Sequence, residues 1–275
     1  MTPPTPAVPP DVVSNVRRRW PDRADDWTYR VEHELHELCA RYQATPSRIL
    51  PARYGFVVAV NNARGGLVMR ASPDPNGPHQ VHVSAALANL GIAPTVHEAI
   101  HTDSGTWIIL DEVRPATPLA DVDHARATVN SLATPLAAMA GRPAPALGMP
   151  SVIDWLRARL EDDHLTDLAP GAERAPAHTR RDAAGILERL ADDTTPQLCH
   201  GDVSPWNVLA HGEGGWMLID PRGMSGEVSY DVAVLGLKLA HRRQPALTTA
   251  RLAQAVGVDP ERTLAWTIVA GAARV

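Results

Sequence analysis

No part of this chain restricts its possible folds more than residues 197–231, QLCHGDVSPWNVLAHGEGGWMLIDPRGMSGEVSYD. A short apolar run, Gln197-Leu198-Cys199, turns sharply at His200-Gly201-Asp202. A second run, Val208-Leu209-Ala210, is joined to a third, Trp216-Met217-Leu218-Ile219, through His211-Gly212-Glu213-Gly214-Gly215. Two apolar runs linked by a short glycine-rich segment read as a β-hairpin. Asp202 and Asn207 then fall in the loop that enters the hairpin, and Asp220 at its exit. Two carboxylates and a side-chain carbonyl at one end of one small element suit Mg²⁺. That ion keeps its waters and needs only one or two protein carboxylates beside substrate phosphates.

The order is informative as well. H-G-D, then Asn, then Asp after a hairpin is an arrangement used for phosphoryl transfer, where positioning and charge neutralisation do most of the work. Asp202 would accept the hydroxyl proton, and Asn207 and Asp220 would hold the metal on the phosphates. Any one of these residues alone is explained by a hairpin with polar loop ends. The three in register point to the transfer chemistry.

HGDVSPWN followed by IDPRGMSGEVSYD resembles the aminoglycoside phosphotransferase family. The GE–YD tail is most similar to the branch containing streptomycin 6-phosphotransferases and hydroxyurea phosphotransferases. DEVRPATPLAD and RPAPALGMPSVIDWL resemble the same family more weakly, so the similarity extends over nearly the whole chain. The resemblance implies an α+β, protein-kinase-like fold of two lobes with ATP between them. The expected division is a small β-rich N-terminal lobe over 1–110, a hinge over 111–114, and a larger, mainly helical lobe over 115–275.

The implied activity is ATP-dependent transfer of the γ-phosphate to a hydroxyl of a small molecule, foremost an antibiotic of aminoglycoside type, with Mg²⁺ as cofactor. GTP in place of ATP stays open. So do two rivals: a metabolic small-molecule kinase of the same fold, and a degenerate relative that only binds nucleotide. The expected partners are nucleotide and hydroxyl acceptor, for a cytoplasmic monomer or weak dimer. The resemblance also gives supporting roles. His200 orders the loop by hydrogen bonding, and Asp231 caps it from the following helix. Glu227 is placed to touch substrate. Trp206 either stacks on substrate or packs beneath the loop, packing being favoured.

Composition narrows the classes further. A net charge of −5 argues against a general binder of nucleic acid or anionic membrane. No apolar run approaches the ~20 residues of a membrane span. MTPPTPAVPP has neither the basic nor the apolar region of a secretory signal. Cys39 and Cys199 offer no disulfide framework, and Cys199 lies in an apolar run, as core filler does. Lysine occurs once, at Lys238, so the cationic sites are expected to use arginine.

Taken in order, residues 1–10 hold five prolines and are expected to be extended and disordered. Trp27, Val31, Leu35, Leu38, Cys39 and Tyr42 have helical spacing, which leaves His33 and His36 on the polar face. Strands are expected over 56–60 and 67–71, about a turn at 61–66. Arg70 then occupies the position where the family carries a phosphate-gripping lysine. The helix expected over 79–90 lacks the glutamate that a kinase-like fold uses to orient that cation; Gln80 or His82 would substitute.

His97-Glu98-Ala99-Ile100-His101 matches the H-E-x-x-H zinc signature, but a proline before it and a turn after it read as a hairpin strand. Asp111, Glu112 and Val113 follow as the adenine-reading hinge. Helices are expected over 122–139, broken or kinked at Pro135, and from a capping box of Ser151 and Asp154. That second helix ends at Glu161-Asp162-Asp163. Asp162 and Asp163 either line a pocket for a cationic sugar or form a solvated helix end. A loop over 165–179, a helix over 181–190 and an internal apolar helix over 232–239 follow. Two helices opened by Thr249 and by Asp259-Pro260 close the chain.

Overall fold

The helical stripe over 27–42 marks the inner face of a long helix. In the computed structural model, which describes residues 6–122, 127–168, 171–212, 214–239 and 245–275, that helix is α2 (Pro21–Arg41). A shorter helix, α1 (Pro10–Arg19), precedes it. The stripe Trp27, Val31, Leu35 and Leu38 is buried against alternate residues of an antiparallel sheet, among them Phe56, Val58, Val60, Met69 and Ile109. The sheet has five strands: β1 (Thr45–Ile49), β2 (Phe56–Asn62), β3 (Gly65–Ser72), β4 (Val96–His101) and β5 (Thr106–Asp111). Their order is β1-β2-β3-β5-β4. The period-2 burial of the strands and the 3.6-residue period of the helix meet in one core.

Helix α3 (Gly77–Asn89) lies in sequence between β3 and β4. The chain forms two compact units, residues 1–81 with 94–112, and 82–93 with 113–275. The second unit is mainly helical: α4 (Val129–Met139), α5 (Val152–Glu161), α6 (Ala177–Asp192), α7 (Val228–Leu239), α8 (Pro245–Val256) and α9 (Pro260–Ala272). It also holds a small sheet in which β6 (Pro115–Pro118) pairs β8 (Val208–His211), and β8 pairs β9 (Gly215–Leu218). A two-stranded pair joins β7 (Gln197–Leu198) to β10 (Ser225–Gly226). The β8–β9 register, Val208 opposite Leu218 and His211 opposite Gly215, is the hairpin expected from the glycine-rich link; Glu213 lies outside the described residues. Fold class is thus as expected: α+β, with a β-rich part and a helical part.

Several local expectations are corrected. Of the proline-rich leader, residues 1–5 lie outside the described residues. Residues 6–9 are ordered by packing: Val8 is buried with Val12, and its N–H donates to Glu32 Oε1 at 2.9 Å. The helix expected from 122 starts at Val129 because Thr128 caps it, Oγ1 accepting from the Ser131 N–H at 3.1 Å; residues 123–126 lie outside the described residues. Pro135 sits inside α4 without ending it. Ser151 caps α5 through the Ile153 N–H at 3.1 Å, but Asp154 turns to Arg157 at 2.7 Å, so no reciprocal box forms. Helix α6 begins at Ala177, inside the expected loop, of which residues 169 and 170 lie outside the described residues. Helix α8 begins at Pro245, and Thr249 is a fully buried residue within it. Asp259 caps α9 with Pro260 first, as its sequence predicts.

Candidate active site

His200 to Asn207 is irregular backbone between two short strands, so its N–H and C=O groups need partners outside a ladder. Asp231, fully buried in the first turn of α7, supplies two of them. Its Oδ2 accepts from the His200 N–H at 2.9 Å and its Oδ1 from the Gly201 N–H at 2.8 Å. Burial pushes the Asp231 carboxyl up to about 7 against the opposing pull of these two donors. Gly201 has a φ of +82°, and a Cβ there would lie 3.1 Å from Arg222 Cβ, so glycine meets both a backbone and a packing requirement.

The loop is tied to the hairpin exit by three bonds. His200 Nε2 lies 2.9 Å from the Ile219 carbonyl, the Arg222 N–H donates to the His200 carbonyl at 2.9 Å, and the Ile219 N–H donates to the Asn207 carbonyl at 3.0 Å. His200 Nδ1 accepts from the Asp202 N–H at 3.3 Å, which assigns the ring proton to Nε2 and makes Ile219 its acceptor. Burial pushes the His200 pKa down, in keeping with a neutral ring that orders the loop.

These ties bring Asp202, Asn207 and Asp220 to one end of the hairpin. The Asn207 Nδ2 donates to the Asp202 carbonyl at 3.0 Å, so the amide oxygen is the group directed elsewhere. Asp220 has a φ of +57°, a left-handed conformation that aspartate tolerates better than most residues. Among the described residues, no group of three His, Cys, Asp or Glu side chains is arranged to hold a metal. Asp220 and the Asn207 amide are oxygen-bearing groups of the kind a hard ion takes while completing its shell from water and phosphate.

Two cations flank the Asp202 carboxylate. Lys238 Nζ lies 3.1 Å from Oδ1, and an Arg222 terminal nitrogen lies 3.4 Å from Oδ2. The Arg222 guanidinium stacks on Trp155 at 4.5 Å. Burial opposes ionisation of Asp202, but Arg222 and Lys238 outweigh it and hold the carboxyl at about 2. Sequence reasoning missed both cations. The signal for Lys238 was present: it is the single lysine, and it lies seven residues after Asp231, two turns along the same helical face.

Arg70, on β3, donates to Gln80 Oε1 at 3.1 Å, and Gln80 Nε2 donates to Asp74 Oδ2 at 3.0 Å. Of the two substitutes expected for the missing glutamate, it is Gln80 that meets Arg70. The Asp111 N–H is spent on the Thr95 carbonyl at 3.0 Å and the Glu112 N–H on the Gly66 carbonyl at 3.1 Å. Their carboxylates meet His97 at 2.6 Å and Arg48 at 2.7 Å. Val113, the third expected hinge residue, opens the second unit and is buried. The H-E-x-x-H residues lie on β4, where Glu98 accepts from Arg41 and Tyr42, both at 2.6 Å, so no zinc helix exists.

Other expectations change. Glu227 is 9% exposed and turns inward, where its Oε1 accepts from Arg262 Nε at 2.7 Å and from the Trp266 indole N–H. Little of its surface is left to offer a substrate. Asp163 pairs with Arg174 and Arg180 and stays exposed, and Asp162 accepts from the His164 N–H at 2.7 Å, so these two form a solvated helix end. Trp206 is 61% exposed, so its ring is not packed beneath the loop. Cys199 is fully buried, and burial raises its thiol well above the ordinary value, so it is core filler. No helix among the described residues is long and apolar enough to cross a membrane.

The chain is 27% identical over 179 residues to streptomycin 6-kinase of Streptomyces glaucescens, which covers 61% of this chain and 56% of that one. It is 30% identical over 169 residues to hydroxyurea phosphotransferase of Kitasatospora aureofaciens, covering 60% and 48%. The chain thus spans about half the length of these curated relatives. The structure resembles an aminoglycoside phosphotransferase of Streptomyces rimosus with a TM-score of 0.55 at 16% identity, over 87% of this chain and 97% of that one, a likeness of fold. Residues 48–266 match the model of the phosphotransferase enzyme family, and this chain belongs to that family.

Proposed function

We propose that this protein is a Mg²⁺- and ATP-dependent O-phosphotransferase acting on a hydroxyl of a small molecule, foremost an antibiotic of aminoglycoside type, in the cytoplasm. The observation that carries the reading is the three-bond tie between the His200–Asn207 loop and the Ile219–Arg222 segment, which gathers Asp202, Asn207 and Asp220. Asp202 orients the acceptor hydroxyl and receives its proton. A carboxyl held at about 2 is a weak base at neutral pH, so the proton moves late, as a loose transition state allows. Asn207 Oδ1 and Asp220 would hold Mg²⁺, which when bound neutralises charge on the nucleotide phosphates. Arg70, steadied by Gln80, supports those phosphates. Asp111, Glu112 and Val113 contribute to nucleotide recognition. Trp206 offers its face to the acceptor.

A second reading, a kinase for an uncharged metabolite, is favoured by one observation: Glu227 and Asp163 are paired with arginines rather than directed at a polycation. Purified protein with Mg-ATP, assayed by ADP release against streptomycin, hydroxyurea and neutral sugars, separates the two. Asp202→Ala should lower turnover of the productive acceptor by about 10²–10⁴-fold. Undiminished turnover in that variant removes Asp202 from the mechanism and with it the proposal.

A further inference from the structure

Lys238 is the single lysine of the chain, and it stands on the carboxylate that the phosphotransfer reading makes the acceptor's proton partner. Its placement is built from α7. The helix is pinned to the loop at one end by Asp231, through the His200 and Gly201 N–H groups. Two turns on, Lys238 reaches the same loop at Asp202 Oδ1, 3.1 Å away. An ammonium has three donors in a compact head. One is spent on Asp202, and the side chain remains partly exposed. Asp202 is already flanked on its other oxygen by Arg222. A second cation is therefore more than neutralising one carboxylate requires.

The acceptor oxygen that Asp202 holds must sit about 2.7 Å from the carboxylate, and the phosphorus it attacks is its next neighbour. With Lys238 bonded to that carboxylate, the oxygens of a phosphoryl group moving onto the acceptor would come near its other donors. Resting on the phosphotransfer reading, we propose that Lys238 is a catalytic residue that donates to the transferred phosphoryl group from the helical unit. In the step, the acceptor oxygen forms a bond to the γ-phosphorus while the bond from that phosphorus to the bridging oxygen breaks. ADP leaves with the electron pair, and the acceptor proton passes to Asp202. Lys238 exchanges no proton in the step and is bonded to an equatorial oxygen as charge spreads over it, which is where a fixed donor contributes most.

The test uses full-length protein and whichever acceptor gives ADP release. Lys238→Met should lower kcat about 10²–10³-fold with the KM for acceptor changed little, and Lys238→Arg should recover part of the loss. A double-mutant cycle separates direct action from action through Asp202. Asp202→Asn/Lys238→Met should be slower than Asp202→Asn alone by a further factor of at least about ten, since the donor to the phosphoryl group is lost independently. Equal rates for those two variants would make Lys238 a positioning residue only and overturn the proposal. Wild-type rates in Lys238→Met would overturn it as well while leaving the phosphotransfer reading intact. Failure of the wild-type protein to turn over any acceptor removes both. Melting temperatures of each variant identify loss of fold, in which case Lys238→Gln is read in the same cycle.

Discussion

At the scale of single residues, the site is decided by how buried charges are compensated. Asp231 and Asp202 are both carboxylates in the same loop system, yet burial raises one to about 7 while two cations hold the other at about 2. The Asp231 difference has a definite sign in stability. A carboxyl whose folded pKa lies above its unfolded value of 3.8 favours the folded state fully below that value. The contribution is lost as pH rises through about 7. Measured against Asp231→Asn, which retains the opposing contribution of the depressed His200, wild-type protein should therefore lose melting temperature between pH 5 and pH 8. Asp231→Asn, which keeps one acceptor for two N–H donors, should start lower and lack that slope. A wild-type slope matched by the variant would mean that another group titrates. The same comparison tests whether the loop is held by this one side chain, because the variant should also lose turnover at every pH.

At the scale of elements, α7 links the core to the site. Gly236 on its buried face allows α8 to approach so closely that a Cβ would lie 2.9 Å from Thr249 Cα and closer still to its hydroxyl. Gly236→Ala sets two effects against each other. Alanine gains up to about 1 kcal/mol in helix propensity, and overpacking costs about 1–3 kcal/mol. Because backbone rather than a flexible side-chain end is struck, overpacking should win. Urea denaturation should give a net loss, with a fall in turnover since α7 carries Asp231 and Lys238. Unchanged or raised stability would show that the two helices part at no cost.

The same helix marks what the sequence allowed to be read. The hairpin and the loop that enters it were legible because glycine and apolar runs fall at short spacings along the chain. Gln80 was legible only as one of two candidates, beside His82, because α3 holds no acidic residue. Lys238 left only its singleness and its spacing from Asp231 as a signal, since its partner lies 36 positions away and its segment reads as an apolar core helix. Helix α1 and the start of α2 were hidden by their many charges, Asp22, Arg23, Asp25 and Asp26 among them. The inward turn of Glu227 depends on Arg262 and Trp266, which only folding brings near.

At the scale of the whole molecule, the apolar interior is divided. Leu35 belongs to a core made only of residues from the first unit, whereas Leu235 belongs to a core made only of residues from the second. Helix α3 is where the chain passes from one to the other, with Val83 and Leu87 already in the second core. Cores that share no side chain are expected to open as separate cooperative units, with their own free energies of opening. Truncating a fully buried leucine to alanine costs about 2–5 kcal/mol, and most of that cost falls on the unit that holds the cavity. Leu35→Ala should therefore accelerate hydrogen exchange at amides of residues 6–81 and 94–112 while leaving α7 and α9 protected. Leu235→Ala should do the reverse. Uniform acceleration over both sets in either variant would mean that the molecule opens as one body, and the stability of the loop around Asp202 would then depend on the sheet as much as on α7.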